Sequence, residues 1–250
     1  MGQLVNPSIS VDIVIFGFDG LHLKVLLVRR DSSKVENSLK SAQCDHKLPG
    51  SLIFENEDLT TSAHRILKEL TGLSDIYLRQ LQVFSDPNRI KRSEDLDWIT
   101  KNYGVEAHRI VTVAYYSLIK IDNSVIKRSV EGETSWSDVQ TIRQLAFDHK
   151  QILLTALETL TRQLQTEPVA FELLPKKFTI RQLQNLYEAV LGTELDNRNF
   201  RKKVLKFSYL IPLEEKEKDV AHKPARFYRF DKTRYLKEVK RKYNLSFIHS

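Results

Sequence analysis

Thiol chemistry is almost absent from this 250-residue chain: Cys44 is its one cysteine. A single thiol excludes a disulfide framework and any cysteine-based zinc cluster, and a reducing, intracellular setting is expected. No apolar run approaches the ~20 residues of a membrane-spanning helix. Met1–Ser10 lacks the basic head and apolar run of a secretory leader. The opening Met-Gly-Gln-Leu-Val-Asn lacks the Ser or Thr that a myristoylation signal carries at its sixth position. No internal repeat and no low-complexity tract interrupts the chain. What remains is ordinary globular composition, 41% hydrophobic and 28% charged, with a cytoplasmic location expected.

The net charge of +7 is unevenly spread. Residues 168–250 carry 19 Lys and Arg against 10 Asp and Glu, whereas residues 1–167 carry 20 against 22. The basic excess therefore belongs to the last third. This pattern suits a polyanion-binding module joined to a near-neutral one, although a basic tail kept for solubility gives the same asymmetry.

Hydrophobic periodicity divides the chain at the same place. Asp12–Phe18 and Leu23–Arg29 are β-branched runs joined by Asp19-Gly20, a hairpin signal. Lys47–Phe54, Ile76–Phe84, His108–Ile121 and Ile126–Val130 read as further strands. Leu59–Leu70 has apolar residues at 59, 63, 66, 67 and 70 and a stop at Gly72, so it reads as a helix. Asp86–Ala107 reads as a long polar loop. Asp148–Leu164 reads as a helix opened by a capping box of Asp148 and Gln151. The expected N-terminal unit, residues 1–167, is an α/β/α sandwich with a mixed sheet. Thr166-Glu167-Pro168 marks its end.

Residues 168–250 show a second pattern. Thr179 and Gln182 form a capping box before a stripe of Ile180, Leu183, Leu186, Tyr187, Val190 and Leu191, and Gly192 stops that helix. A short turn leads to a basic helix starting near Asp196. A strand (Tyr209–Leu213), a charged loop (Glu214–Lys223) and a strand (Arg226–Phe230) follow. Helix, turn, basic helix and hairpin in that order describe a winged helix-turn-helix. In such a unit Asn197, Arg198 and Asn199 meet base edges, where Arg pairs with guanine and Asn with adenine. Arg201, Lys202, Lys203 and Lys206 suit phosphate contacts. Lys177 and Arg181 sit where the first helix grips the backbone, and Lys223 and Arg226 lie in the wing. The bland alternative is a solvated charged face. The chain shows no aromatic platform of the kind that single-stranded RNA requires, so double-stranded DNA is the expected partner.

The segment Leu48-Pro49-Gly50-Ser51 … Glu57 … Arg65-Ile66-Leu67-Lys68-Glu69-Leu70-Thr71-Gly72-Leu73 resembles the Nudix box, G-x5-E-x7-R-E-U-x-E-E-x-G-U with U apolar. Glu57, Arg65, Leu67, Glu69, Gly72 and Leu73 match. Ser51 replaces the glycine, and Ile66 and Leu70 replace two helix glutamates. In Nudix hydrolases those glutamates hold divalent cations, which need several hard oxygen ligands. Two aliphatic side chains on one helix face leave only Glu69, so no catalytic residue, no metal site and no resident cofactor are expected. The alternative is a metal-dependent hydrolase of a nucleoside diphosphate-linked substrate, with Glu55, Glu57 or Asp58 as displaced ligands. Arg65 and Glu69 also suit a plain i, i+4 ion pair.

The resemblance extends beyond the box. Asp86-Pro87-Asn88-Arg89, His108–Tyr116, Leu145-Ala146-Phe147-Asp148-His149, Phe171–Phe178 and Leu195–Lys203 are similar to the Nudix-related transcriptional regulators of the NrtR/AraR type. That resemblance implies a non-hydrolytic Nudix sensor joined to a winged helix, a homodimer, and a palindromic operator. It also implies a small-molecule effector, an ADP-ribose-related nucleotide in some branches and a pentose sugar in another; this chain looks closer to the second. Arg65, Glu69, Asp86, Arg109 and Tyr115 are the candidate effector-binding residues. Turn roles explain Asp86 and Arg109 equally well. Of Tyr115 and Tyr116 at most one faces a pocket, because strand residues alternate. The segments Asp31–Lys47 and Asp86–Ala107 are longer than the family pattern and are expected near the pocket mouth.

Overall fold

A computed structural model describes residues 4–30, 46–90, 92–106, 108–121, 134–218 and 223–243. Among these residues the first unit is a seven-stranded mixed sheet. Strand β1 (Val5–Phe18) is its spine, longer than the expected Asp12–Phe18. It runs parallel to β6 (Val111–Lys120) from Ile9↔Val111 to Phe18↔Lys120. It is antiparallel to β2 (Leu23–Arg29) across the Asp19-Gly20 turn. Asp19 fixes that turn by accepting the N–H groups of Leu21 and His22 at 2.9 and 2.7 Å. The Lys47–Phe54 run splits in two at Leu48-Pro49. Strand β3 (His46–Lys47) pairs with β2, and β4 (Gly50–Phe54) pairs with β1. Strand β5 (Arg79–Phe84) lies outside β6, and β7 (Thr134–Asp138) lies outside β2. The expected strand Ile126–Val130 falls outside the described residues, and β7 was not read from its polar sequence.

Helix α1 (Leu59–Thr71) covers one face of the sheet. Its Ala63, Ile66 and Leu67 meet Val11, Ile13, Ile15 and Tyr115 in a dry core. Helix α3 (His149–Thr166) covers the other face, where Ile152, Leu153, Ala156 and Leu160 meet Val14, Phe16 and Tyr116. Odd and even residues of β1 thus feed different cores, as strand alternation requires. The long polar segment is not a loop throughout: it contains α2 (Ser93–Tyr103), whose Trp98 and Ile99 close a third cluster with Leu52 and Ile110. Its buried face also carries Asp95, 1% exposed, and that charge hides the apolar period. Asp148 stands at the N-cap of α3 but caps nothing, so the expected capping box is not formed.

The second unit begins with the short helix α4 (Ala170–Leu173) and strand β8 (Phe178–Thr179). Helices α5 (Ile180–Leu191) and α6 (Asn197–Val204) follow, then β9 (Leu210–Lys216), β10 (Arg226–Phe230) and α7 (Lys232–Tyr243). The Thr179–Gln182 capping box is present in both directions. Strands β8, β10 and β9 form a small sheet behind the two helices. Helix α7 was not anticipated. It docks through Tyr235 against Tyr209 and Phe230, at ring separations of 5.3 and 5.9 Å. None of the described helices is long and apolar enough to cross a membrane.

Candidate effector cleft and nucleic-acid interface

The sheet face under α3 holds a charge where an apolar residue would be routine. Asp12, 4% exposed, sits between Val11 and Ile13 in β1. Its carboxylate accepts the Thr112 hydroxyl at 2.8 Å and lies 3.3 Å from His149 Nε2 and 3.5 Å from Arg89 Nη2. His149 Nδ1 accepts the Leu48 N–H at 2.9 Å, so the ring proton sits on Nε2, facing Asp12. Burial opposes ionisation of Asp12, but His149, Arg89 and Thr112 together hold its carboxyl well below the usual range. Gly50 is required opposite it, since a Cβ there would lie 1.9 Å from Asp12 Oδ1. The neighbouring Lys47 donates to the Gly50 carbonyl at 2.7 Å, and burial pulls its ammonium down to about 8.

Two hollows share Arg89 and Phe147 as walls. The smaller, about 40 Å³, is lined by Asp12, Lys47, Trp98, Tyr103 and His149. The larger is an open cleft of about 510 Å³ between the end of β5, α2 and the start of α3. Asp86, Asn88, Arg89, Arg92, Asp95, Asp148 and Gln151 line it. A cleft of this size suits a nucleotide-sized ligand, since small-molecule sites span ~300–1,000 Å³. Arg89 donates to both oxygens of Asp148, at 2.9 and 2.7 Å. Asp95 takes Arg30 at 2.5 Å and Arg92 at 3.0 Å. Phe147 is held at φ 56, a left-handed backbone that costs an aromatic residue on the order of 1–3 kcal/mol. Its ring lies between Trp98 and His149, at 5.9 and 5.1 Å.

The candidate effector residues do not converge. Asp86 lines the cleft, and its Oδ1 accepts the Asn88 N–H at 2.7 Å in a local turn. Arg109 braces the rim by donating to the Ser85 carbonyl at 3.3 Å. Tyr115, 6% exposed, packs in the α1-side core and lines neither hollow. Arg65 and Glu69 are on α1, 3.0 Å apart as an ion pair. Arg65 also clamps both oxygens of Glu57, at 2.6 and 2.8 Å, and stacks 4.0 Å over Phe54. Asp12, Lys47, Arg89, Arg92, Asp95, Phe147, Asp148 and His149 were not singled out as ligand residues. One signal was available: an aspartate inside an apolar β run.

The residues of the Nudix box do not fit a divalent cation. Ile66 is fully buried, and Leu70 packs against the same core. Both Glu57 oxygens are occupied by Arg65, Ser62 and the Phe54 N–H, and Asp58 caps α1 by accepting the Thr61 N–H. Among the described residues no group of three His, Cys, Asp or Glu side chains converges as a metal would need.

The second unit presents a different chemistry. Gly192, at φ 67, closes α5, and a buried amide shapes the turn beyond it. Gln184 donates to the Leu195 carbonyl at 2.9 Å and to Glu188 at 2.8 Å, while Glu188 accepts the Leu195 N–H at 3.0 Å. Burial would raise the Glu188 carboxyl, but Leu195, Gln184 and Arg181 hold it below the usual range. Asp196 then caps α6 by accepting the Asn199 N–H at 2.7 Å. On α6 and its exit, Asn197, Arg198, Asn199, Arg201, Lys202, Lys203 and Lys206 are all exposed, while Val204 is buried. Phe200 anchors the helix against Tyr187 at a ring separation of 5.5 Å. Lys223 and Arg226 are exposed at the wing. Lys177 and Arg181 are exposed but engaged, Lys177 with the wing residue Glu215 at 2.6 Å and Arg181 with Glu188 at 3.9 Å.

A Nudix-type sheet, joined to a winged helix-turn-helix with an exposed basic helix, defines a Nudix-related DNA-binding regulator. Residues 170–230 match the NrtR DNA-binding winged helix domain. The NtrR of Acinetobacter baylyi, described as an ADPR responsive transcriptional repressor, is 30% identical over 229 residues, covering 90% of this chain and 82% of that protein. The chain belongs to this NrtR family of transcriptional repressors. The structure of Shewanella oneidensis NrtR complexed with a 27mer DNA covers 89% of this chain and 93% of its own, at 28% identity and a TM-score of 0.61. A MutT/nudix family protein from Enterococcus faecalis shares the fold over 92% of this chain and 89% of its own, at 24% identity and a TM-score of 0.59.

Proposed function

We propose that this protein represses transcription as a homodimer on a palindromic operator and releases or re-sets that grip when ADP-ribose or a close relative enters the cleft of Arg89 and Arg92. The observation that carries the DNA reading is the set of exposed basic and amide side chains on α6, on a helix fixed by the Gln184–Glu188 turn. Arg89 and Arg92 give the cleft two guanidinium groups, which match phosphate oxygens in pairs, and an anionic nucleotide would take the places that Asp148 and Asp95 now hold on them. The description of the Acinetobacter relative as ADPR responsive points the same way. The Nudix unit acts as a sensor without hydrolysis, since its box offers hydrocarbon where cations need carboxylates.

The test is selection of genomic fragments by the purified protein, followed by sequencing and by anisotropy titrations of the recovered site with and without ADP-ribose. An inverted repeat whose affinity changes with ADP-ribose is the expected result. Light scattering of the complex is expected to give two copies per repeat. Sequence-indifferent binding would sink the regulator reading. Turnover of ADP-ribose with Mg²⁺, lost in Glu69→Gln, would restore the hydrolase.

A further inference from the structure

Helix α3 is tied to the cleft at one end and to the DNA-binding unit at the other. At its start Asp148 occupies the N-cap position, yet its carboxylate caps no N–H and is turned wholly onto Arg89. The Arg89 side chain is 5% exposed and walls both hollows. Its counter-charges are Asp148 and, at 3.5 Å, Asp12. The remaining charged groups on the cleft wall are Asp86, Arg92 and Asp95. At the far end, 18 residues and about 27 Å away, Leu160 and Leu164 share a core with Leu183 and Leu186 of α5. There the Leu164 carbonyl accepts the Tyr187 hydroxyl at 3.3 Å.

We infer that Asp148 is a built-in stand-in for a diphosphate, and that the ligand's diphosphate displaces it from Arg89. This rests on the effector reading above and deepens it by naming the sensing pair. The Arg89 fork already binds two oxygens of one anion side-on, the geometry a phosphate uses. Arg92 supplies a second guanidinium on the same wall. A dianion seated there removes the counter-ion of Asp148 and repels its carboxylate. The start of α3 then leaves its present seat. A packed helix moves as a unit, so the displacement reaches α5 and, through the Gln184–Glu188 turn, α6.

The test titrates full-length wild type, Asp148→Asn and Arg89→Lys with ADP-ribose and, separately, with inorganic pyrophosphate, by calorimetry, and measures operator affinity without effector. Circular dichroism melts confirm that each variant is folded. Asp148→Asn keeps the shape and removes the competing charge, so both ligands bind about tenfold tighter, the scale of one charge-assisted hydrogen bond. The same variant binds operator several-fold more weakly without effector, since α3 has lost its anchor. Arg89→Lys loses the fork and binds both ligands at least tenfold more weakly. Unchanged or weaker ligand binding by Asp148→Asn overturns the exchange. If ADP-ribose binds wild type and neither variant alters it, the exchange falls and the effector reading stands. If pyrophosphate binds through Arg89 and ADP-ribose does not bind, the effector reading falls and the anion exchange stands. If neither ligand binds wild type, both fall.

Discussion

Glu57 holds a strand end and a helix together through one carboxylate. It accepts Arg65 twice, the Ser62 hydroxyl and the Phe54 N–H. The hydrogen bonds from Arg65 pull its pKa down to about 2 from the usual 4.5. A carboxyl more acidic folded than unfolded adds stability that is complete above pH 4.5 and is lost as the pH falls toward 2. Glu57→Gln therefore lowers unfolding free energy at pH 7 by about 1–3 kcal/mol, the worth of hydrogen bonds to a charged group. Urea melts of both proteins at pH 7, 4 and 2.5 check the sign: the gap narrows with acid, and a constant gap would exclude the ionised carboxylate as its source. Tyr115 makes a contrasting case. It sits in the α1-side core, so Tyr115→Ala costs stability, about 3–5 kcal/mol by analogy with other buried aromatics. Tyr115→Phe leaves ADP-ribose affinity unchanged by calorimetry, because no cleft wall includes it.

On the proposed reading, helix α6 separates base reading from charge. Its first turn carries Arg198 and Asn199, whose side chains point away from a helix anchored by Phe200 and Val204. Arg198→Ala and Asn199→Ala each cost about 1–3 kcal/mol at the operator and relax base preference at their own positions. Lys202→Ala and Lys203→Ala weaken every sequence alike and lower the slope of log affinity against log salt by about one each. Competition binding with single-base operator variants, at two salt concentrations, tells these outcomes apart. Equal loss on all sequences for Arg198→Ala would remove it from the base-reading set. The periodicity of α6 and the capping box of α5 were legible in the sequence because both are local. Helix α2 was not, since Asp95 is buried by virtue of Arg30 and Arg92, which arrive from elsewhere in the chain or on its own flank. Helix α7 is not legible in the sequence for a similar reason: its seat is made by Tyr209 and Phe230.

Across the molecule the α3-side core does not stop at Pro168. Leu160 and Leu164 of α3, Val169, Leu173, Leu174, and Phe178, Leu183 and Leu186 form one continuous buried cluster. Arg79 bridges to Glu167 and Glu172, and Asn185 donates to the Gly20 carbonyl at 3.1 Å. The two units therefore share a packed core along α3. Leu164→Ala removes volume from the shared core and costs about 2–5 kcal/mol. The expected outcome by calorimetry is a single cooperative transition for wild type, which Leu164→Ala lowers as a whole. Two separate transitions in wild type, with only one moved by the variant, would mean that the units unfold independently.

What depends on near neighbours and on charge count is legible in the chain alone. The Asp19-Gly20 turn, the Thr179–Gln182 capping box, the basic run of α6 and the aliphatic Ile66 and Leu70 of the Nudix box each lie within runs of about a dozen residues. The two hollows exist only in the folded chain. Asp12 comes from β1, Lys47 from β3, Arg89 from the turn after β5, Arg92 and Asp95 from α2 and its flank, and Asp148 and His149 from the start of α3. Buried charges are tolerable only in mutual contact, and contact among groups so far apart along the chain exists only once the sheet has formed. That is also why Arg65, Glu69 and Tyr115, marked by their motif and strand, lie away from the cleft: a motif fixes a helix face, and the fold decides what that face meets.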